Sequence, residues 1–326
     1  MSEAAETPDV AQEIRAAGMA DVSRKPDTLR TARASATITM PAFCLPLLRE
    51  RRTKKGDALA AARVAAIMAV KHTSDVIPLC HPMPIQDAKV TFTLGDASVT
   101  IEVEVQVIAN TGVEMEALTG ASIAALTLYD MLKPHAGTAL SIGDIHLIEK
   151  RGGKSHYKRH IEPSVNGAVI VLSDTVAAGR AQDTAGALVH ERLHAAGIEC
   201  PPVEVIPDEP AQLAERVRYW AAQDVALVVT VGGTGVGPRD RTVETVTPLL
   251  EMEIPGIMEA ARSYGQRRMP FAMLSRGVAG LIGRTLVITT PGSRGGASEY
   301  MDALIPGILH AFQVVRGVPH KHGYNQ

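Results

Sequence analysis

Cysteine is scarce in this 326-residue chain: Cys44, Cys80 and Cys200 lie far apart, and none forms a CxxC pair. An odd, scattered set excludes a disulfide framework and a cysteine zinc site, and fits a reducing, cytoplasmic setting. Aromatic residues are also few, with four Phe, six Tyr and one Trp, which leaves little for stacking on bases. Nor is there an excess of either charge, since 33 Lys and Arg stand against 35 Asp and Glu for a net charge of -2. A general nucleic-acid binder is thereby disfavoured, and any anionic partner must be met by local clusters. No run of about 18 apolar residues occurs, and the start MSEAAETPDV lacks a basic stretch followed by an apolar core, so neither a membrane span nor export is expected.

What is present is apolar material enough for two cores. Hydrophobic residues make up 46% of the chain and charged ones 21%, which excludes disorder as the main state. At roughly 100–200 residues per domain the length favours two domains. Residues 1–19 are small, acidic and polar and read as a flexible leader. Residues 58–69 have helical spacing, residues 88–94 and 99–107 alternate polar and apolar side chains as strands, and Gly95-Asp96 between them signals a hairpin. Residues 116–132 form an apolar helix and residues 139–148 a third strand, so the first half is expected to be α+β, an antiparallel sheet with helices. A basic, glycine-containing stretch follows, and the linker is placed at residues 157–166. Beyond it, residues 168–172, 225–230 and 285–289 are short apolar runs with helical segments between them. They predict an α/β domain over residues 167–326, a mostly parallel sheet with helices on both faces. No internal repeat relates the halves.

Several constellations carry chemistry. Five cations, Arg49, Arg51, Arg52, Lys54 and Lys55, fall within seven residues. Such a run serves either as a solvated face or as a phosphate site. Ile77-Pro78-Leu79-Cys80-His81-Pro82 holds a thiol and an imidazole between backbone-stiffening prolines. Glu114, Met115 and Glu116 stand at the start of the apolar helix, where carboxylates also stabilise the helix dipole. Asp130 and Lys133 share one helix face near its end, as a surface ion pair or as a proton-transfer pair. Lys150-Arg151-Gly152-Gly153-Lys154 is a loop able to offer N–H groups and ammoniums to phosphate, or a basic linker.

In the second half, Gly232-Gly233-Thr234-Gly235 follows a buried strand and runs on to Val236-Gly237-Pro238-Arg239-Asp240. It lacks the Walker lysine and the GxGxxG spacing, yet its four glycines favour anion binding at the carboxyl end of a strand. Asp174 and Asp208 also follow strand-like segments. If Asp208 and Asp240 converge at one sheet edge they offer carboxylates to a hydrated Mg²⁺; as isolated residues they serve as caps or turn formers.

Two family resemblances rest on these residues. DVS with Lys25, Thr28 and Arg30, then KGDALAAARVAAIMAVKHTSDVIPLCHPMP, TGVEMEALTGASIAALTLYDMLK and EKRGGKS resemble the MoaC family of cyclic pyranopterin monophosphate synthases over residues 20–156. The resemblance implies conversion of (8S)-3′,8-cyclo-7,8-dihydro-GTP to cyclic pyranopterin monophosphate and pyrophosphate, without a cofactor, in a hexamer with sites at a dimer interface. It implies Asp130 as the acid/base with Lys133 beside it, and Lys55, Lys150, Lys154 and Arg30 on the triphosphate or at ring opening. Leu79, Cys80 and His81, with Glu114, Met115 and Glu116, would line the rest of the substrate site. Gly120 stands where that family usually has Ala, and Ala20 where a bulkier apolar residue is usual.

VLSD, IPDE, TVGGTGVGPRDRTVE, EIPGIMEAAR, SRGVAG and TTPGS are similar to molybdopterin adenylyltransferases of the MogA/MoaB type, over residues 166–316. That resemblance implies adenylation of molybdopterin by Mg²⁺-ATP in a trimeric assembly. Asp208 and Asp240 would be the catalytic and metal-binding acids, Gly232, Gly233, Thr234 and Gly235 the phosphate loop, and Ser275 and Arg276 ligand neighbours. Glu253, Pro291 and Gly292 would shape the pocket. Val243 replaces a usual proline and Ser293-Arg294 follows Pro291-Gly292. These departures leave open a second half that only binds pterin or oligomerises, although both acids are kept.

Overall fold

Alanine in place of larger residues shapes the first unit. In β1 (Thr28–Thr39) the inward positions are Ala32, Ala34, Ala36 and Ile38, all fully buried, so the strand presents a nearly flat surface to the helices above it. The computed structural model describes residues 18–153 and 165–317, which divide into two compact units on either side of the Gly153–Lys154 boundary. The proposed leader therefore lies almost wholly outside the described residues, as does most of the proposed linker. Val165 and Asn166, placed in that linker from sequence, already belong to a strand, pairing with Ile198 and Glu199.

In the first unit, α1 (Cys44–Arg49) and α2 (Ala58–Lys71) precede β2 (Asp87–Leu94) and β3 (Ser98–Ala109), and α3 (Glu114–Ala136) leads to β4 (Ser141–Arg151). The four strands form an antiparallel sheet in the order β2-β3-β1-β4. The hairpin closes through Gly95, whose N–H donates to the Ser98 carbonyl at 2.9 Å. Helix α2 starts at Asp57, whose carboxylate accepts the Ala60 N–H at 3.0 Å, and buries Ala58, Ala62, Ala66 and Val70 every fourth residue. Helix α3 likewise buries small residues, Ala117, Gly120, Ala121, Ala124 and Ala125, against α2 and the sheet. At Gly120 a side chain would meet Val70 and Val103, which is what close packing of α3 requires there. Strand β1, which the sequence reading left unassigned, is one of the two inner strands, paired with β3 and β4.

The second unit is α/β, with β5 (Val165–Leu172), β6 (Ile198–Glu199), β7 (Glu204–Ile206), β8 (Leu227–Val231), β9 (Met252–Glu253), β10 (Ala279–Ile282) and β11 (Thr285–Thr290). The main path runs β6-β5-β8-β11-β10-β9, with β7 also on β5. Pairings among β5, β6, β7, β8 and β11 are parallel, whereas β10 and β9 continue the sheet antiparallel. Strand alternation separates two cores: Val169, Val229 and Ile288 face one, and Ile170, Val228 and Val287 the other. Helices α4 (Ala185–Ala195), α6 (Pro255–Gln266), α7 (Arg294–Leu304) and α8 (Gly307–Val315) cover the first core. Helix α5 (Pro210–Ala222) covers the second through Leu213 and Val217. No helix among the described residues is long and apolar enough to cross a membrane.

The crowding over β1 gives a test. Ala34→Leu is expected to destabilise the first unit by about 1–3 kcal/mol through overpacking. The chain's one Trp, Trp220 of α5, reports on the second unit alone. Urea unfolding followed by circular dichroism should therefore show an earlier component while the Trp220 fluorescence midpoint stays in place.

Candidate functional site

The helix α3 carries one cluster at each end. Near its C-terminus Asp130 accepts Lys55 Nζ on Oδ2 at 2.7 Å, and its Oδ1 meets Lys133 Nζ at 2.8 Å. Lys55 comes from a tight turn before α2, in which Gly56 has φ 100° and the Thr53 hydroxyl donates to the Gly56 carbonyl at 2.7 Å. Hydrogen bonds from Lys133 and then Lys55 hold the Asp130 carboxyl down at about 2, and Asp130 in turn raises the Lys133 ammonium. The charge run of residues 49–55 thus divides, with Lys55 turned to the acid and Arg51 and Arg52 paired with Asp57 and Glu50.

At the N-terminal end, Glu114 Oε1 meets Lys150 Nζ at 3.1 Å. Arg30 reaches the Ala109 and Asn110 carbonyls at 3.4 and 3.5 Å. Gly153, with φ 82°, passes so close to the Arg30 guanidinium that a side chain there would collide with it. Glu116 is buried in the first turn of α3; burial pushes its carboxyl up, and the Glu114 charge adds to this. Burial also raises the Cys80 thiol, with a further contribution from the Glu116 charge. Leu79 and Met115 are exposed, His81 is half-buried, and Lys154 lies outside the described residues. At 1.5 Å per residue Glu114 and Asp130 stand about 24 Å apart, so one copy of the unit carries two separate clusters.

In the second unit the carboxyl ends of β5, β8 and β11 adjoin, and the chain leaves each in a loop. Gly232, with φ 114°, donates to the Thr290 carbonyl at 2.9 Å; a Cβ on it would stand 2.5 Å from the Leu172 carbonyl oxygen. Only glycine passes between these strand ends. Gly292 approaches the same residue, its own Cβ position lying 3.1 Å from Gly232 Cα. Thr242 ties the loop back, donating through Oγ1 to the Gly232 carbonyl at 2.9 Å and through N–H to the Gly233 carbonyl at 3.1 Å. Thr234 is buried, and its carbonyl accepts the Arg276 N–H at 2.9 Å.

The guanidinium of Arg276 donates to the Gly235 carbonyl at 2.7 Å and the Asp240 carbonyl at 2.8 Å, and pairs with Glu244. It shapes the loop from behind. Ser275 is bonded to Tyr300 Oη at 2.8 Å. Asp240 accepts the Gly237 N–H at 2.8 Å, whereas Asp208 is joined to Asp174: each carboxylate accepts the other residue's N–H, at 3.1 and 3.0 Å. Arg239 closes that pair, donating to Asp174 Oδ2 at 2.6 Å. Glu253 lies exposed on β9, paired with Gly280. Sequence reasoning did not commit to Asp174, Arg239, Thr242 or Glu244. For Asp174 and Arg239 the signal was present, an acid directly after a buried strand and an Arg beside Asp240 in the glycine-rich loop; Thr242 and Glu244 show their role only through partners remote in sequence.

Residues 19–153 match the MoaC family model, and residues 168–310 match that of a probable molybdopterin binding domain. The fold and its two sites thus define a two-module protein, a MoaC unit fused to a MogA/MoaB-like unit. Over 302 residues the chain is 42% identical to the molybdenum cofactor biosynthesis bifunctional protein of Chlorobaculum tepidum, covering 93% of this chain and 96% of that one. The protein of that name from Synechococcus elongatus is 38% identical over 315 residues, covering 93% and 98%. The first unit is also 51% identical over 142 residues to cyclic pyranopterin monophosphate synthase of Parvibaculum lavamentivorans, covering 43% of this chain and 88% of the relative. The chain belongs to the family of bifunctional molybdenum cofactor biosynthesis proteins.

The Asp130 cluster makes a pH prediction. A depressed carboxyl contributes pairing that is complete above its ordinary value of 3.8 and is lost as pH falls through about 2. Replacing Lys133 by Met removes the larger cause, so the Asp130 titration followed by carbon NMR should move upward towards the ordinary carboxylate range.

Proposed function

We propose that the first unit converts (8S)-3′,8-cyclo-7,8-dihydro-GTP to cyclic pyranopterin monophosphate with release of pyrophosphate, and that the second adenylates molybdopterin with Mg²⁺-ATP. The observation that carries the first reading is the carboxylate of Asp130 held between two ammoniums. A carboxyl at about 2 is a poor proton acceptor near neutral pH. Triphosphate oxygens arriving at the cluster compete for Lys55 and Lys133, and each ammonium drawn away lets the Asp130 pKa rise. Substrate binding thereby prepares the base that ring rearrangement needs, while the lysines stabilise the developing phosphate charge. Lys150 and Arg30, at the other end of α3, supply further cations, and buried Glu116 a carboxyl raised by burial.

Because the clusters lie about 24 Å apart on one helix, we place the working site between two copies, one giving its Asp130 end and the other its Glu114 end. The hexameric, dimer-based assembly implied by the resemblance supplies such a neighbour. In the second unit the glycine-rich loop offers N–H groups at strand ends, where phosphates are held in parallel α/β sheets. Among the described residues no group of three His, Cys, Asp or Glu side chains is close enough to hold a metal unaided. Mg²⁺ carried on ATP suits this donor set, since that ion takes one or two carboxylates along with phosphate oxygens and water. Asp208, with Asp174 beside it, and Asp240 are the residues that would hold it, and the ion would neutralise phosphate charge. Arg239 leaves Asp174 as that charge arrives. A trimeric arrangement of the second units is the accompanying proposal, as is a cytoplasmic location.

Asp130→Asn should reduce pyrophosphate release by at least about a hundredfold and leave AMP transfer intact, with Asp240→Asn doing the reverse. Loss of both activities by either substitution in a folded protein would refute the two-site reading. In mixed oligomers, inactive Asp130→Asn and Lys150→Ala chains should together regain pyrophosphate release; if co-expressed chains stay inactive, the shared site is wrong.

A further inference from the structure

The turn that delivers Lys55 is tied by hydrogen bonds to the same helix end that carries Asp130. The Lys54 N–H donates to His135 Nε2 at 3.0 Å, and Lys54 Nζ donates to the Pro134 carbonyl at 3.4 Å. His135 follows Asp130 by five residues in α3, and Pro134 brings no N–H to the Asp130 carbonyl four residues before it. The final turn of α3 thus gives up part of its own ladder and binds the lysine turn. Within that turn, Lys55 N–H donates to Thr53 Oγ1 at 3.3 Å and Thr53 Oγ1 to the Gly56 carbonyl at 2.7 Å; both bonds are internal and fix its shape.

We infer that His135 is a positioning residue for the first reaction, its Nε2 holding the backbone of the lysine turn so that the Lys55 ammonium meets Asp130. The inference rests on the reading of Asp130 and Lys55 as reaction-site residues. Lys55 has four methylenes between backbone and charge, so an unanchored backbone lets its ammonium sample positions several ångströms from the acid, a loss of alignment that is costly in rate. An imidazole nitrogen accepting from an amide is one task that glutamine can share through its side-chain oxygen and leucine cannot.

The full chain is the material for the test, with His135→Leu and His135→Gln compared with wild type. His135→Leu should lower kcat for pyrophosphate release about tenfold to a hundredfold with a smaller change in KM, and His135→Gln should recover most of it. Carbon NMR gives the second readout: in His135→Leu the Asp130 carboxyl should titrate above the wild-type midpoint of about 2, and in His135→Gln close to it. Equal kcat and equal Asp130 titration in all three proteins would overturn the anchor. A fall in kcat that glutamine does not rescue, with the titration unmoved, would overturn it as well. If wild type itself releases no pyrophosphate, the reading of the reaction fails, while the titration still decides whether His135 holds Lys55 in place.

Discussion

The contact of α3 with the flat alanine face of β1 is the constraint on which the first unit depends. Ala32, Ala34 and Ala36 below and Ala117, Gly120, Ala121, Ala124 and Ala125 above let backbone approach backbone, with α2 completing the layer. A helix seated this way is a rigid ruler. Its length sets Glu114 and Asp130 about 24 Å apart along the axis. The electrostatics follow from the same placement: the first turn buries Glu116 and raises it, while the last turn leaves Asp130 among ammoniums and lowers it.

The second unit builds its site on another plan, with backbone instead of charged side chains as the first material. Gly232 threads between strand ends, and Thr242 and Arg276 both fasten the loop through its carbonyls. Arg276 illustrates the distinction. It lies 36 residues beyond Asp240 in sequence, yet its guanidinium donates to the Gly235 and Asp240 carbonyls and pairs with Glu244, which makes it scaffold for the loop.

Much of this was legible in the sequence. The hairpin at Gly95-Asp96, the α3 helix, the three parallel strands and the glycine-rich loop each leave a local signal: a turn dipeptide, an apolar run of helical or strand length, or glycines after a buried strand. Strand β1 was missed although Ala32 to Thr39 alternate, because its inward residues are mostly alanine, a residue depleted in strands, and its outward Ser35 is buried as well. Strands β6, β7, β9 and β10 are two to four residues long, too short for periodicity to register. In the sites, residue types were readable and pairings were not: Asp208 finds Asp174, and Lys54 finds His135, through the fold. The separation of Glu114 and Asp130, by contrast, follows from helical rise alone once one helix is known to contain both.

The two-faced sheet of the second unit has a consequence for how its sequence can change. Val228 and Val229 are chain neighbours, yet each is packed among residues the other never meets. A substitution at one is repaired from its own side only, by residues on helices that share that core. The sheet therefore acts as a partition between two sets of compensating mutations, and each face can drift through its own history while the strand ends that carry the loop stay where they are.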